Sequence, residues 1–211
     1  MFSNFTTISG SKQSLHVQVA SSIACRILSG DLAQGSFLPG EMLLSVQMGI
    51  SRTALREAVK LLNSKGLLRS KSKIGTMVIE KSNWNYLDPQ LLEWMNTVNH
   101  SEIFYQQFLA LRKTIEPEAS ALAAKNATPE QLIEFSEIFE KMENIANDFD
   151  HIRWAEEDMH FHRLIYLSTG NDFYLPFGNV LATIYRSFST YNEEDNGTCI
   201  EAHRAIYAAI M

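Results

Sequence analysis

The chain has 211 residues, 45 % hydrophobic and 20 % charged, with a formal net charge of −6, the make-up of an ordinary globular protein with room for one large domain or two small ones. Its two cysteines, Cys25 and Cys199, lie far apart with no CxxC spacing, which argues against a zinc finger or a disulfide framework and fits a cytoplasmic protein. The first residues lack the basic and apolar regions of a signal peptide, and no apolar run approaches the ~20 residues of a membrane span.

In chain order, residues 15–29 carry apolar side chains at helical spacing (Val17, Val19, Ile23, Ile27, Leu28) and stop at Gly30. Leu38-Pro39-Gly40-Glu41 leads into a short helix that Gly49 closes in the left-handed C′ position. Ser51 is placed to cap a second helix, which runs to about Ser64 and ends at Gly66. Gly66 to Ser70 and Gly75 to Ile79 read as two strands, with Lys71 and Lys73 at the tip between them. Three helices and a basic hairpin predict a winged helix-turn-helix. Residues 80–90 form a connector in which Trp84, Tyr86 and Leu87 are too apolar for a free tether and are expected to dock. Everything from Asp88-Pro89 onward reads as helix. Thr128-Pro129-Glu130-Gln131 has the pattern of a capping box with proline at the first helical position. One helix spans about Asp150 to Ser168, another about Phe173 to Thr190, and a last begins near Thr198 and is still in phase at Met211.

Charge is divided unequally. Residues 1–82 hold ten Lys/Arg and four Asp/Glu, a net of +6, and the remainder holds eight and twenty, a net of −12. Nucleic acid is therefore expected to meet only the first third. Arg52 and Arg56 share a helix face, while Leu55, Val59 and Leu62 anchor another. Their forks suit guanine O6 and N7. Ser51 and Thr53 suit phosphate oxygens at a helix N-terminus. Lys73 adds charge at the wing, and the backbone of Gly75 can approach the minor groove. The other reading of Arg56 is a surface ion pair with Glu57 or Glu41.

Asp158 and His162 are four residues apart, so both project from one helix face, and His203 from a later helix can close a metal site with them. The bland alternative is an i,i+4 pair of little energy. Arg112 lies on a helix of otherwise apolar pitch (Phe108, Leu111, Ile115) and is the best candidate to clamp a carboxylate. The alternative there is a buried Arg112–Glu116 pair.

Leu38-Pro39-Gly40-Glu41, the run Ile50 to Ala58, Gly66-Leu67 and Gly75-Thr76-Met77-Val78 resemble the winged helix of the GntR family of bacterial transcription regulators. Leu111-Arg112-Lys113-Thr114-Ile115-Glu116-Pro117, Ala121 to Ala124, Asp158-Met159-His160-Phe161-His162, Gly170-Asn171 and Glu201 to Ile206 resemble the helical effector (FCD) domain of its FadR subfamily. The sequence departs from that pattern at Met42, where some members place an arginine, at Gly40, and at Lys73, where many have glycine. The connector from Asn83 to Trp94 looks like that of regulators answering to sugar acids. The resemblance implies that Asp158, His162 and His203 ligate a divalent metal (Zn, Ni or Mn). It also implies a final helix, missing after Met211, with a further histidine. An aldonate-type sugar acid would give its carboxylate to the metal and Arg112, and its hydroxyls to Asn171 and Tyr185.

The expected protein is mainly α, with a winged helix-turn-helix over 10–80, a linker and connecting helix over 81–98 and an antiparallel helical bundle over 99–211. Its expected role is that of a ligand-responsive, homodimeric repressor on palindromic operator DNA, not an enzyme. The rival readings are a small metalloenzyme at the Asp/His/His set, which has no HExxH base and no evident nucleophile, and a ligand-free helical dimerisation protein.

Overall fold

The computed structural model describes residues 14–98, 102–188 and 200–211, with all their side chains except those of 102, 103 and 185–188. The chain divides into two compact units between residues 100 and 101.

The first unit holds α1 (Leu15–Leu28), α2 (Glu41–Met48), α3 (Arg52–Ser64), strands β1 (Leu68–Lys71) and β2 (Gly75–Val78), and α4 (Pro89–Val98). The α3 helix is strongly amphipathic and buries Leu55, Ala58 and Leu62. It packs on α1, whose Val19, Ala20, Ile23, Ala24 and Ile27 are buried. Gly49, at φ 65°, turns the chain out of α2. Two residues later the Ser51 hydroxyl accepts from the Ala54 N–H at 3.2 Å and starts α3. That tight αL-turn-cap sequence sets the two helices as a helix-turn-helix. The two strands pair antiparallel, Leu68 opposite Val78 and Lys71 opposite Gly75. The free edge of β2 takes a further partner, Phe37 bridging Met77. The winged-helix expectation holds.

The connector folds back onto this unit. The Trp84 indole N–H donates to the Ile79 carbonyl at 3.1 Å, and the Asn85 N–H donates to the Lys65 carbonyl at 3.0 Å. Of its three apolar residues only Trp84 is buried; Tyr86 and Leu87 stay exposed. Gly66, at φ +76°, lies under this segment: a Cβ there would sit 2.0 Å from the Asn83 carbonyl oxygen. The α4 helix packs on α1 and buries Leu91, Leu92, Trp94 and Met95.

The second unit contains α5 (Glu102–Asn126), α6 (Pro129–Asn147), α7 (His151–Leu167), α8 (Leu175–Phe188) and α9 (Ile200–Ile210). The α7 helix is central, touching α5, α6 and α8, while α9 packs on α5 and α6. Phe135, Ile138, Met142, Phe161, Leu164, Ile165, Tyr166 and Ile210 form the core. The capping box is complete: Thr128 Oγ1 accepts from the Gln131 N–H at 3.3 Å, and Gln131 Oε1 accepts from the Thr128 N–H at 2.9 Å. The segment expected to begin a helix at Phe173 starts with a 3-10 turn over Asp172–Tyr174, and the α-helix follows from Leu175. Thr190, Thr198 and Cys199 lie outside the described residues. No helix among the described residues is long and apolar enough to cross a membrane.

Candidate functional site

The exposed start of α3 gathers the residues read as DNA contacts. Ser51, Arg52, Thr53 and Arg56 are all exposed there, with Ser51 engaged as the cap. Arg52 Nε lies 2.7 Å from Glu41 Oε1, and Arg56 Nε lies 2.8 Å from Glu41 Oε2. The ion pair that the sequence offered as an alternative for Arg56 is therefore present, and it includes Arg52. Hydrogen bonds from Arg56 and Arg52 hold the Glu41 carboxyl below its usual range. Lys73 and Gly75 are exposed at the wing. Lys73 has φ 64°, a left-handed backbone for a residue with a Cβ.

In the second unit, α7 presents Asp158 and His162 one turn apart, and α9 brings His203 to them. His203 Nε2 is 2.7 Å and His162 Nε2 is 3.4 Å from Asp158 Oδ1. The two imidazole Nε2 atoms are 3.0 Å apart. Both histidines are buried, and the Asp158 side chain is 13 % exposed. Phe161 lies edge-on to both rings and Trp154 edge-on to His203, so the walls are apolar. One oxygen and two nitrogens within 4.8 Å of one another form a group able to hold a metal ion. The mixed carboxylate and imidazole set suits a first-row divalent ion at ~2.0–2.2 Å from each donor.

Glu116 completes this arrangement from α5. Its carboxylate meets His162 Nδ1 on one side and Arg112 Nε, one turn back, on the other. A carboxylate on Nδ1 fixes the imidazole with Nε2 facing the Asp158–His203 side, the usual outer-shell support of a ligating histidine. Burial opposes ionisation of Asp158, but the His162 charge and hydrogen bond, then His203, hold it well below the carboxylate range. Burial and the Arg112 charge push His162 down, and the Asp158 and Glu116 carboxylates outweigh them, leaving its pKa raised. The sequence offered Glu116 only as a partner for Arg112. Its bond to a histidine 46 positions away has no local signal.

Arg112, Glu116 and His162 border a cavity of about 910 Å³ between α5 and α9, whose walls include apolar Leu109, Pro117, Ala121, Ile206 and Ala209 and polar Lys113, Ser120 and Lys125. Asn171 is elsewhere: it is exposed, and its Oδ1 accepts from the Phe173 N–H at 3.1 Å, capping the 3-10 turn. It is not among the residues that line this cavity. The Tyr185 side chain lies outside the described residues. His160 points outward, 3.7 Å from Glu157.

A winged helix with arginines on its recognition helix, followed by a helical unit with a cavity and a metal-competent group, defines a ligand-responsive DNA-binding regulator. Residues 15–78 match the family described as bacterial regulatory proteins, gntR family, and residues 107–211 match the FCD domain. The chain belongs to the GntR family of transcription regulators, in the branch that carries an FCD domain. It is 37 % identical to the HTH-type transcriptional regulator YieP of Escherichia coli (strain K12), over 95 % of this chain and 87 % of that protein. It is 26 % identical to the galactonate operon transcriptional repressor of the same organism, over 88 % of this chain and 82 % of that one. The solved structure of Lar, which controls expression of the Listeria monocytogenes agr system, aligns with a TM-score of 0.51 at 16 % identity, over 94 % of this chain and 83 % of that chain, a likeness of fold.

Proposed function

We propose that this regulator is a homodimeric repressor whose operator affinity is set by a carboxylate effector bound beside a divalent metal. Arg52 and Arg56 read base edges, Ser51 and Thr53 meet phosphates, and Lys73 and Gly75 bring the wing to the duplex. Asp158, His162 and His203 hold the metal, which supplies a Lewis-acid anchor for an anion when bound. Arg112 offers the anion a second partner. The effector acts by binding one arrangement of the helical unit more tightly than another.

The observation that carries the regulatory reading is the pairing of exposed Arg52 and Arg56 on a capped recognition helix with a basic wing. Gel shifts of the full chain on duplexes from its own promoter region test it. Binding that weakens steeply between about 50 and 200 mM salt is expected. Absence of binding at any salt overturns it, and light scattering of the free protein tests the dimer.

For the effector, a sugar acid is supported by the likeness to the galactonate operon repressor. A second reading is favoured by the cavity walls. Leu109, Pro117, Ala121, Ile206 and Ala209 make most of the lining apolar, with Lys113, Ser120 and Lys125 its polar members beside Arg112, Glu116 and His162, and each hydroxyl buried unpaired against the apolar part is costly. That lining favours a carboxylate with a hydrocarbon tail. A thermal-shift series of aldonates and of aliphatic carboxylates, each with and without Zn²⁺, separates the two. Stabilisation by aldonates alone selects the first reading and by aliphatic acids alone the second. Stabilisation by neither class overturns both.

A further inference from the structure

Glu41 stands in the first turn of α2 and reaches two side chains of α3 at once. One oxygen accepts from Arg52 Nε at 2.7 Å and the other from Arg56 Nε at 2.8 Å. The arginine side chains are 62 % and 61 % exposed, so these pairs add little to folding stability. Their effect falls on the arginines. Each gives its Nε–H to Glu41 and keeps the Nη1/Nη2 end, a fork that matches guanine O6 and N7.

Phosphate is the competing partner for any arginine at a DNA surface. It is present on every sequence and accepts from any edge of the guanidinium. An arginine that turns its Nε edge to a phosphate abandons Glu41, and one that reaches a phosphate by its free end draws the Glu41 carboxylate toward a negatively charged backbone. An arginine that meets a base edge with its free end keeps both bonds. The single carboxylate therefore weighs against non-specific complexes and leaves base contacts unpenalised, a repulsive element that sharpens selection.

We propose that Glu41 is a specificity-determining residue of the DNA interface, presenting Arg52 and Arg56 end-on to base edges and opposing their use as phosphate anchors. This rests on the reading that both arginines meet DNA, and the experiment separates the two. The full chain first selects a duplex from a randomised pool. Wild type, Glu41→Gln, Arg52→Ala and Arg56→Ala are then titrated against that duplex and a scrambled one at several salt concentrations. The glutamine variant is expected to bind the scrambled duplex ~3- to 10-fold more tightly, with a salt slope steeper by about one. Its affinity for the selected duplex stays level or falls, so the selectivity ratio shrinks. Simple removal of a negative charge would tighten both duplexes equally. That result, or no change on either, overturns the proposal where the alanine variants weaken the selected duplex. If neither alanine variant weakens it, the arginine reading fails and the proposal with it.

Discussion

The Lys65 ammonium lies 2.6 Å from Asp88 Oδ1, joining the end of the recognition helix to the start of α4. The lysine side chain is 5 % exposed, and its ammonium also sits 5.4 Å from the centre of the Trp94 ring. Asp88 Oδ1 accepts in addition from the Leu91 N–H at 2.8 Å, capping α4. One carboxylate thus fixes α4 both in direction and against α3. Asp88→Asn keeps a capping acceptor and strands the buried ammonium, so it is expected to cost ~3 kcal/mol. Lys65→Met removes the charge while keeping the packed stem and is expected to cost less. Urea melts check both, and combining the two should recover most of the asparagine loss. Equal losses for the two single variants would contradict this account.

Lys73 has φ 64° at the wing tip, a conformation that costs a residue with a Cβ roughly 1 kcal/mol. Lys73→Gly is expected to gain a few tenths to ~1 kcal/mol of stability, the gain reduced by the greater freedom of glycine in the unfolded chain. If the lysine meets a phosphate, the same change lowers the salt slope of DNA binding by about one. Thermal melts and salt titrations of one variant then move in opposite senses. Lys73→Ala serves as the control, losing the charge while keeping the Cβ, and gains no comparable stability.

Gly66 is constrained by its neighbour as well as by its φ of +76°. A methyl there would lie 2.0 Å from the Asn83 carbonyl oxygen and 3.2 Å from the Trp84 Cα, both backbone atoms. Gly66→Ala is therefore expected to destabilise by more than ~2 kcal/mol, because the connector must lift from the end of α3. Protease cleavage within residues 81–88 should accelerate in parallel. A variant as stable as wild type would show that the connector is not held there.

Features decided within a few residues were readable from the sequence. Gly49 and Ser51 mark the turn between α2 and α3 because αL tolerance and side-chain capping are local properties. Thr128 and Gln131 form their capping box for the same reason. The Asp158–His162 pair was visible because helical pitch alone brings four-residue neighbours together, and the approach of His203 followed from the family pattern. Contacts that depend on tertiary packing were readable at most as one of several options, as with Glu41 and Arg56. Glu41 reaches Arg52 and Arg56 across 11 and 15 positions, and its bond to Arg52 was not foreseen. Glu116 reaches His162 across 46. Asn171 was read from a family motif, and the local role its Oδ1 takes, capping a turn at Phe173, is of the kind that neighbouring residues decide.

His162 and Asp158 depart from their ordinary ionisation in opposite directions, and that fixes a pH profile. His162 is raised despite its burial and the Arg112 charge, because the Asp158 and Glu116 carboxylates favour the cation. A raised histidine contributes stability that is fully present below its unfolded pKa of ~6.5 and is lost as pH rises through the folded value. Asp158 is depressed, with burial opposed by His162 and His203. Its contribution is present above the unfolded pKa of ~3.9 and is lost as pH falls through the folded value. In chelator the protein should therefore be most stable between about pH 4 and 6.5, and its melting temperature should fall from pH 6 to pH 8. A ligating imidazole must give up its proton, so Zn²⁺ affinity should rise over the same interval, by up to ~tenfold per pH unit for each proton displaced. The gap between melting curves with Zn²⁺ and with chelator should widen as pH rises. His162→Ala is expected to abolish that gap. A melting temperature in chelator that climbs from pH 6 to pH 8 would show that the imidazole between Glu116 and Asp158 is not held as the cation.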